Sequence, residues 1–394
     1  MMATVNRVFS EGFRVFFLAA GIYGIFTGLV WTLWLGGVIE TPSQAFAPHL
    51  WHAHEMIFGY ATAAIGGFFL TAVPNWTNAP GARQGYIAVV SGLWFAGRLA
   101  VWYSAALPPL AVAGLDLIFV PILAAKILSQ LLKRPKPQNM MFMIFLALLW
   151  GSNLMVHLEW IGVTDDTAYA GMRGGVIVLC SLIAILGGRV TPAFTRNAMK
   201  RDGVPEPRWP RSVPVIERAT IVLAILLPVL VLAQVPAIFS GAIAIVFGVV
   251  QLIRLSKWGG GWCLKQPILL ALHMGLAMLA LGLILWGLAG LQIGDEIAAL
   301  HVLGIGCVGG MTLAVMSRAG LGHSGRPLIA PTPIALGYFV IALAAAMRWV
   351  GPMLSDSLFL PSMMITGFLW VLAFALYVVA MWPALTQPRL GSMS

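Results

Sequence analysis

Histidines are the side chains of this sequence best suited to bind a metal, and five of the seven are predicted to lie near one membrane face. These five are His49, His52, His54, His157 and His301. Imidazole nitrogens bind haem iron, copper and zinc, and an unpaired polar group inside a bilayer is costly. We therefore predict metal ligands among them, with ordinary hydrogen bonding as the alternative for His49 and His157.

The spacing of these histidines divides them between two sites. His52 and His54 are two residues apart, and side chains at this spacing point to nearly opposite sides of an α-helix. One metal therefore cannot bind both on a regular helix. We predict a haem held between His54 and His301, and copper held by His49, His52 and His157.

Five charged residues accompany the histidines. Arg98, Arg173 and Arg348 are predicted at the same outer side, where guanidinium groups could pair with haem propionates. The alternative for each arginine is a charge that reaches the outer lipid headgroups. Glu55 follows a predicted ligand and could orient its imidazole. Asp116 lies inside an apolar segment, so we expect it to pair with an arginine or a hydroxyl group.

The elements that must position these residues are membrane helices. Of the 394 residues, 60% are hydrophobic and only 9% are charged, which is too few for a water-soluble surface. Twelve apolar segments are long enough to cross a bilayer. They begin near residues 13, 52, 86, 108, 139, 171, 214, 236, 267, 297, 332 and 358. The sequence therefore predicts an all-α, multi-pass integral membrane protein, with the lipid bilayer as its solvent.

Charges and cysteines narrow the class of protein further. The formal charge of +10 comes from residues spread over short loops, so no basic domain for nucleic acid is predicted. If the N-terminus is cytoplasmic, all but three of the 23 lysines and arginines lie at the inner side, which places both termini in the cytoplasm. Cys180, Cys263 and Cys307 are far apart in the sequence and form no CxxC motif, which argues against a disulfide framework and against a thiolate zinc site.

Three segments end alike and indicate an internal repeat. Glycine pairs occur at 66–67, 187–188 and 309–310, and Ala72, Ala193 and Ala314 follow at intervals of 121 residues. Since four helices fit in one interval, we predict one membrane domain over residues 1–394, built from three four-helix repeats. Their approximate ranges are 13–133, 139–255 and 267–381. The alternative is that small residues are simply common where membrane helices pack closely.

Five motifs give the sequence a resemblance to the NnrS family. They are WHAHEM at 51–56, LTAVPNW at 70–76, GGRVTPAFTRN at 187–197, Leu300-His301, and MTLAVMSRAGLGHSGR at 311–326. The resemblance spans nearly the whole chain in the same order. It implies a protein of the bacterial inner membrane that contains haem, of b-type, and copper, and that helps cells to withstand nitric oxide.

Three functions are compatible with these residues. The first is binding of nitric oxide or another small diatomic ligand, or relief of its toxicity, with or without redox chemistry. The second is a small-solute or metal transporter without haem, since repeated helices are common among transporters. The third is a nitric oxide reductase, which would need a separate electron donor because the sequence has no CxxCH motif. Whether the protein is an enzyme stays open at this point.

Overall fold

Helices account for the whole secondary structure of the part of the chain that the structure describes, residues 2–40 and 46–391. The structure is a computed structural model, and it is 82% helical. Twelve of its helices are long and apolar enough to cross a membrane. The predicted fold class and the predicted number of helices are thereby confirmed.

The twelve membrane helices follow a short N-terminal helix, Met2–Val8. They are labelled α1 to α12 and comprise Gly12–Leu35, Pro48–Thr77, Gln84–Trp102, Pro109–Leu131, Pro137–Trp160, Ala168–Arg201, Pro214–Leu232, Ala237–Leu255, Pro267–Gly290, Glu296–His323, Thr332–Leu354 and Asp356–Thr386. Proline stands at the first position of several of them, where the missing N–H costs no hydrogen bond.

The chain forms two compact units. Unit 1 comprises residues 1–175, 316–328 and 374–394, and unit 2 comprises residues 176–315 and 329–373. Helices α1 to α5 belong to unit 1, whereas α7, α8, α9 and α11 belong to unit 2. The single domain, the three repeats and the cytoplasmic termini stay predictions.

Glycines allow close packing between neighbouring helices of unit 1. A methyl group on Gly67 of α2 would lie 2.6 Å from Cδ1 of Phe17 in α1. A methyl group on Gly97 of α3 would lie 3.1 Å from Cα of Asp116 in α4. Without a hydrophobic force between helices in lipid, such close contacts supply the packing energy. They also bring α3 close enough to α4 for charged side chains to meet.

Helix α2 contains a π-helical segment, Glu55–Tyr60, which begins directly after His54. A π-helix has one more residue per hydrogen-bonded turn, so it redirects the side chains around it and is frequent at functional sites. The carbonyl oxygen of Gly59 accepts hydrogen bonds from Trp94 Nε1, at 3.0 Å, and from Thr62 Oγ1, at 3.1 Å. These bonds stabilise backbone groups that the irregular turn would leave poorly paired.

Helix α4 is also interrupted, at Ile118, two residues after Asp116. Pro121 has no N–H to donate to the carbonyl oxygen of Leu117, four residues earlier. The indole Nε1 of Trp150 in α5 donates to that oxygen instead, at 3.1 Å. The bond ties α4 to α5 close to the position of Asp116.

In unit 2, α10 has a second π-helical segment, Val302–Gly309, which begins directly after His301. Asp295 caps the start of this helix by accepting a hydrogen bond from the N–H of Ala298, at 2.6 Å. The pattern of a histidine followed by a π-helix therefore occurs in both units. Sequence periodicity did not indicate either irregular segment.

Candidate metal centre

His54 is the centre of a buried polar cluster in unit 1. Its ring has no exposed surface, and both of its nitrogens have partners. Nδ1 lies 2.8 Å from Oε1 of Glu55, and Nε2 lies 2.9 Å from Oδ1 of Asn153 and 3.2 Å from Oδ2 of Asp116. The π-helical turn that starts at Glu55 brings these adjacent side chains together, which a regular helix does not favour.

Asp116 connects the cluster across α3, α4 and α5. Its Oδ2 lies 2.8 Å from Asn153 Nδ2 and 2.8 Å from His157 Nε2, and its Oδ1 is paired with Arg98. Asn153 and His157 are one turn apart on the same face of α5, so both reach this carboxylate. The pairing of Asp116 with an arginine, expected from the sequence, is confirmed.

Arg98 bridges the two carboxylates of the cluster. Its NH1 donates to Oε1 and Oε2 of Glu55 at 2.7 and 2.8 Å, and its NH2 donates to Asp116. The hydroxyl of Tyr23, from α1, donates to Oε2 of Glu55. Two carboxylates against one guanidinium leave one excess negative charge if both imidazoles are neutral. A buried site of this kind is stabilised by a proton or a metal cation.

The hydrogen bonds of the cluster indicate where a cation would bind. The Asn153 amide must present its NH₂ to Asp116, because the opposite orientation would bring two oxygens together, and so its Oδ1 faces His54. When the Nδ1–H of His54 donates to Glu55, its Nε2 carries a lone pair. That lone pair then faces only oxygen atoms, of Asp116 and Asn153. In this arrangement the Nε2 of His54, the carboxylate of Asp116 and the Oδ1 of Asn153 converge on one point, and none of these atoms donates a hydrogen bond to another.

A metal ion would satisfy this convergence with little movement. One ligand atom from each of His54, Asp116 and His157 lies within 4.8 Å of the other two. Ligands held at about 2.1 Å from a tetrahedral ion are about 3.4 Å apart. For comparison, Oδ2 of Asp116 lies 3.2 Å from Nε2 of His54 and 2.8 Å from Nε2 of His157. The hydrogen bond of Glu55 to the far nitrogen of His54 matches the carboxylate–histidine–metal arrangement of many metal sites.

Aromatic rings enclose the two histidines. The ring centroid of Trp160 lies 5.0 Å from that of His54 and 5.3 Å from that of His157, and Phe58 lies 5.1 Å from His54. Phe46 stacks on Trp160, with 3.6 Å between centroids. Such an enclosure keeps water from the polar atoms and strengthens their electrostatic interactions.

Comparison with known proteins identifies the family. A family model described as NnrS protein matches residues 7–389. The chain belongs to the NnrS family. The matched region covers all twelve membrane helices, so the resemblance carried by the five sequence motifs is confirmed. No curated protein matches the chain.

Not all the histidines predicted for this NnrS chain meet at the cluster. His49 is exposed, with Nε2 at 3.2 Å from the hydroxyl of Tyr169. His52 stacks on Trp31, with 4.4 Å between ring centroids. The structure thus brings His54 and His157 together and places His49 and His52 in other surroundings. The opposite orientation of His52 and His54, expected from their spacing, accounts for part of this division.

His301 lies in unit 2, whereas His54 lies in unit 1. Its ring is half-buried, and its Nδ1 lies 2.7 Å from the carbonyl oxygen of Ile297, to which an N–H would donate. That bond fixes the tautomer with Nε2 as the basic nitrogen. One turn further, a methyl group added to Gly304 would meet no atom within 4 Å. The haem shared by His54 and His301 stays a prediction.

The three predicted propionate anchors have different surroundings. Arg98 is 4% exposed and is directed at Glu55 and Asp116 within unit 1. Arg173 is half-buried, with its guanidinium carbon 6.0 Å from the ring centroid of Tyr169. Arg348 is buried in α11. A role toward haem propionates stays a prediction for each of them.

Sequence reasoning did not connect Asp116, Asn153 and Tyr23 with a metal site. Two features of the sequence could have pointed to these residues: the carboxylate of Asp116 inside an apolar helix, and the four-residue spacing of Asn153 and His157. Neither signal shows which helices are neighbours. Glu55 was predicted to orient an imidazole, and its side chain is in position to do so.

Proposed function

We propose that this chain is a haem- and copper-binding protein of the bacterial inner membrane that binds nitric oxide and relieves nitrosative stress. The observation that carries the proposal is the convergence of His54, Asp116 and His157 inside a multi-pass membrane protein of the NnrS family. A buried metal-ligand set within a membrane helix bundle is a functional-site hypothesis by default, because its burial is costly.

Copper fits the donor atoms of the cluster. Two imidazole nitrogens and a carboxylate oxygen suit Cu(II), as well as Zn(II) and Fe(II), and membership in the NnrS family favours copper among them. Bound copper would supply reversible one-electron chemistry. The protein would contribute the rest: Glu55 holds the tautomer of His54, Arg98 offsets carboxylate charge, and Trp160 excludes water.

Haem fits His301 better than His54. Both nitrogens of His54 are engaged within unit 1 and its ring is fully buried, so an iron ion could reach it only after the cluster is broken. At His301 the bond to Ile297 orients the ring as in many metal-bound histidines, and Gly304 leaves open space on the same face. We therefore propose haem at His301 alone and copper at the unit 1 cluster.

An iron with one histidine ligand from this chain would keep a position for nitric oxide. Haem held by His301 would supply an iron to which the gas binds directly. Any redox turnover would draw electrons from a separate donor protein, which we propose as a partner. In this arrangement haem and copper are bound by different histidines. The two cofactors can therefore be tested separately.

The first experiment is an analysis of detergent-purified protein from cells supplied with haem and copper. We expect a Soret band that shifts on reduction and again with nitric oxide, and copper by elemental analysis. His301→Ala should lose the Soret band and keep copper, whereas His157→Gln should lose copper and keep the Soret band. His49→Ala, an exposed histidine outside the cluster, is the matched control and should keep both.

Two results would contradict the proposal. Protein from haem- and copper-replete cells that contains neither cofactor would favour the transporter function. Loss of the Soret band in His54→Ala but not in His301→Ala would return the haem to the cluster. In cells, the His301→Ala strain should grow more slowly than wild type under a nitric oxide donor.

A further inference from the structure

Two of the three cysteines form a buried pair in unit 2. Cys180 lies on α6 and Cys307 lies in the π-helical segment of α10, and neither has exposed surface. The two thiols lie close enough in the fold to interact with each other. They are 127 positions apart in the sequence, so the fold alone brings them together.

The third cysteine has different surroundings. Cys263 is buried in the segment between α8 and α9, and its sulfur lies 3.8 Å from the hydroxyl oxygen of Thr195. Its contact is therefore a hydroxyl group, whereas the contact of Cys307 is a second thiol. The chain thus contains a paired thiol and a comparably buried thiol in different surroundings.

Because the pair is buried within membrane helices, only some reagents can reach it. Charged molecules such as S-nitrosoglutathione are excluded from the interior of a membrane helix bundle. Nitric oxide and oxygen are neutral and dissolve in apolar phases, where they form dinitrogen trioxide, a neutral nitrosating agent. A buried thiol in a membrane protein is thus exposed to nitrosation even though aqueous reagents cannot reach it.

We infer that Cys180 and Cys307 form a nitrosation site that converts a nitrosating agent to nitroxyl and closes a disulfide. The inference rests on the proposed link of this chain to nitric oxide. In the first step a thiol loses its S–H bond and gains an S–N bond, and nitrous acid leaves with the proton. In the second step the partner thiol attacks that sulfur, the S–S bond forms, and the S–N bond breaks.

The electrons of the second step balance without a further reagent. Each sulfur loses one electron when the disulfide forms, and the nitrogen gains both as it leaves as nitroxyl, HNO. The proton on HNO comes from the partner thiol. A thiol without a neighbouring thiol cannot complete this step and stops at the S-nitrosothiol.

The experiment uses the full-length protein in detergent micelles, exposed to nitric oxide with limiting oxygen. Remaining thiols are alkylated, and peptides are mapped by mass spectrometry. We expect a linked Cys180–Cys307 peptide, and nitroxyl trapped by a phosphine in proportion to that peptide. In Cys307→Ser, Cys180 should carry a nitroso group and no disulfide. Cys263 should show at most the nitroso group in both proteins.

Two results would overturn the inference. One is that Cys180 and Cys307 remain thiols at doses that nitrosate Cys263. The other is that both become nitrosated in wild type without a disulfide. S-nitrosoglutathione at equal concentration should leave the pair unmodified. If Cys307→Ser does not fold, the wild-type peptide map still decides.

This test is separate from the test of the cofactors. The nitrosating agent forms from nitric oxide and oxygen without a protein cofactor, so the fate of the cysteines does not depend on bound haem or copper. Conversely, Cys307→Ser should keep the Soret band, the copper content and the spectral change with nitric oxide. If one of the two tests fails, the result of the other can therefore still be interpreted.

Discussion

His54 and Glu55 are adjacent in the sequence, yet their side chains are hydrogen-bonded, with 2.8 Å between Nδ1 and Oε1. The bond is made where the regular α-helix of α2 changes to a π-helix. It holds the imidazole in the tautomer that directs Nε2 toward Asp116. The π-helical turn at Glu55 therefore orients His54 as a ligand of the candidate metal centre.

Replacement of this carboxylate should weaken metal binding without removing a ligand. In Glu55→Gln, the amide is a poorer acceptor for Nδ1–H, and we expect metal affinity to fall by about 10- to 100-fold. Competition with a chelator of known affinity measures the change. Glu40→Gln, on an exposed glutamate, should leave the affinity unchanged. Equal affinities for Glu55→Gln and wild type would show that Glu55 does not support the ligand.

A methyl group at Gly59 should disrupt the same cluster sterically. A Cβ there would lie 2.8 Å from Oε2 of Glu55, 2.8 Å from Cε1 of Tyr23 and 2.9 Å from NH1 of Arg98. We expect Gly59→Ala to cost about 1–3 kcal/mol of stability and to reduce copper content. Gly92→Ala is the matched control, because its added methyl group meets no atom within 4 Å. Similar unfolding curves for the two variants would contradict this geometry.

Loss of Arg98 alone should lower the stability of the protein more than simultaneous loss of the charges of Arg98, Glu55 and Asp116. Arg98→Leu leaves two buried carboxylates without their cation, at a cost of about 3–5 kcal/mol. Unfolding in mixed micelles of mild and denaturing detergent measures it. The triple variant Arg98→Leu, Glu55→Gln and Asp116→Asn should recover much of this stability, because no unpaired charge remains. A triple variant that is less stable than Arg98→Leu would rule out charge as the cause.

The indole of Trp160 should slow exchange of a bound metal. It contacts both His54 and His157, so Trp160→Ala opens a path for water. We expect a chelator to remove the metal at least about tenfold faster, with little change in affinity. Trp31→Ala removes an indole that stacks on His52, outside the cluster, and should exchange at the wild-type rate. Equal rates in both variants would mean that the path for the metal lies elsewhere.

The pH dependence of one thiol outside the membrane helices can also be predicted. Burial raises the pKa of Cys263, and the hydrogen bond with Thr195 lowers it in part. The thiolate is the form that reacts, so alkylation of Cys263 should still accelerate above about pH 9.5, where a free cysteine peptide of pKa about 8.5 has levelled off. Thr195→Val should move the curve to higher pH. A wild-type curve that overlays that of the free peptide would contradict the raised pKa.

The sequence predicted the helices well because their signal is local. An apolar run of sufficient length determines a membrane helix whatever its neighbours are, and all twelve were found. His54 and His157 were singled out from the sequence as possible ligands, because imidazoles are rare and costly in such runs. Their grouping with Asp116 was missed, since it depends on which helices are neighbours. The π-helical turn at Glu55 was missed because it leaves no mark on hydrophobic periodicity.

The charged cluster of unit 1 has a consequence for how the chain enters the membrane. Glu55, Arg98 and Asp116 lie on three successive helices, α2, α3 and α4. Each charge costs about 2.5–3.5 kcal/mol when its helix inserts alone. The cost falls only when the three helices pair, so we expect the translocon to retain α2 and α3 until α4 has been synthesised. We thus expect α2, α3 and α4 to be released together from the translocon into the bilayer.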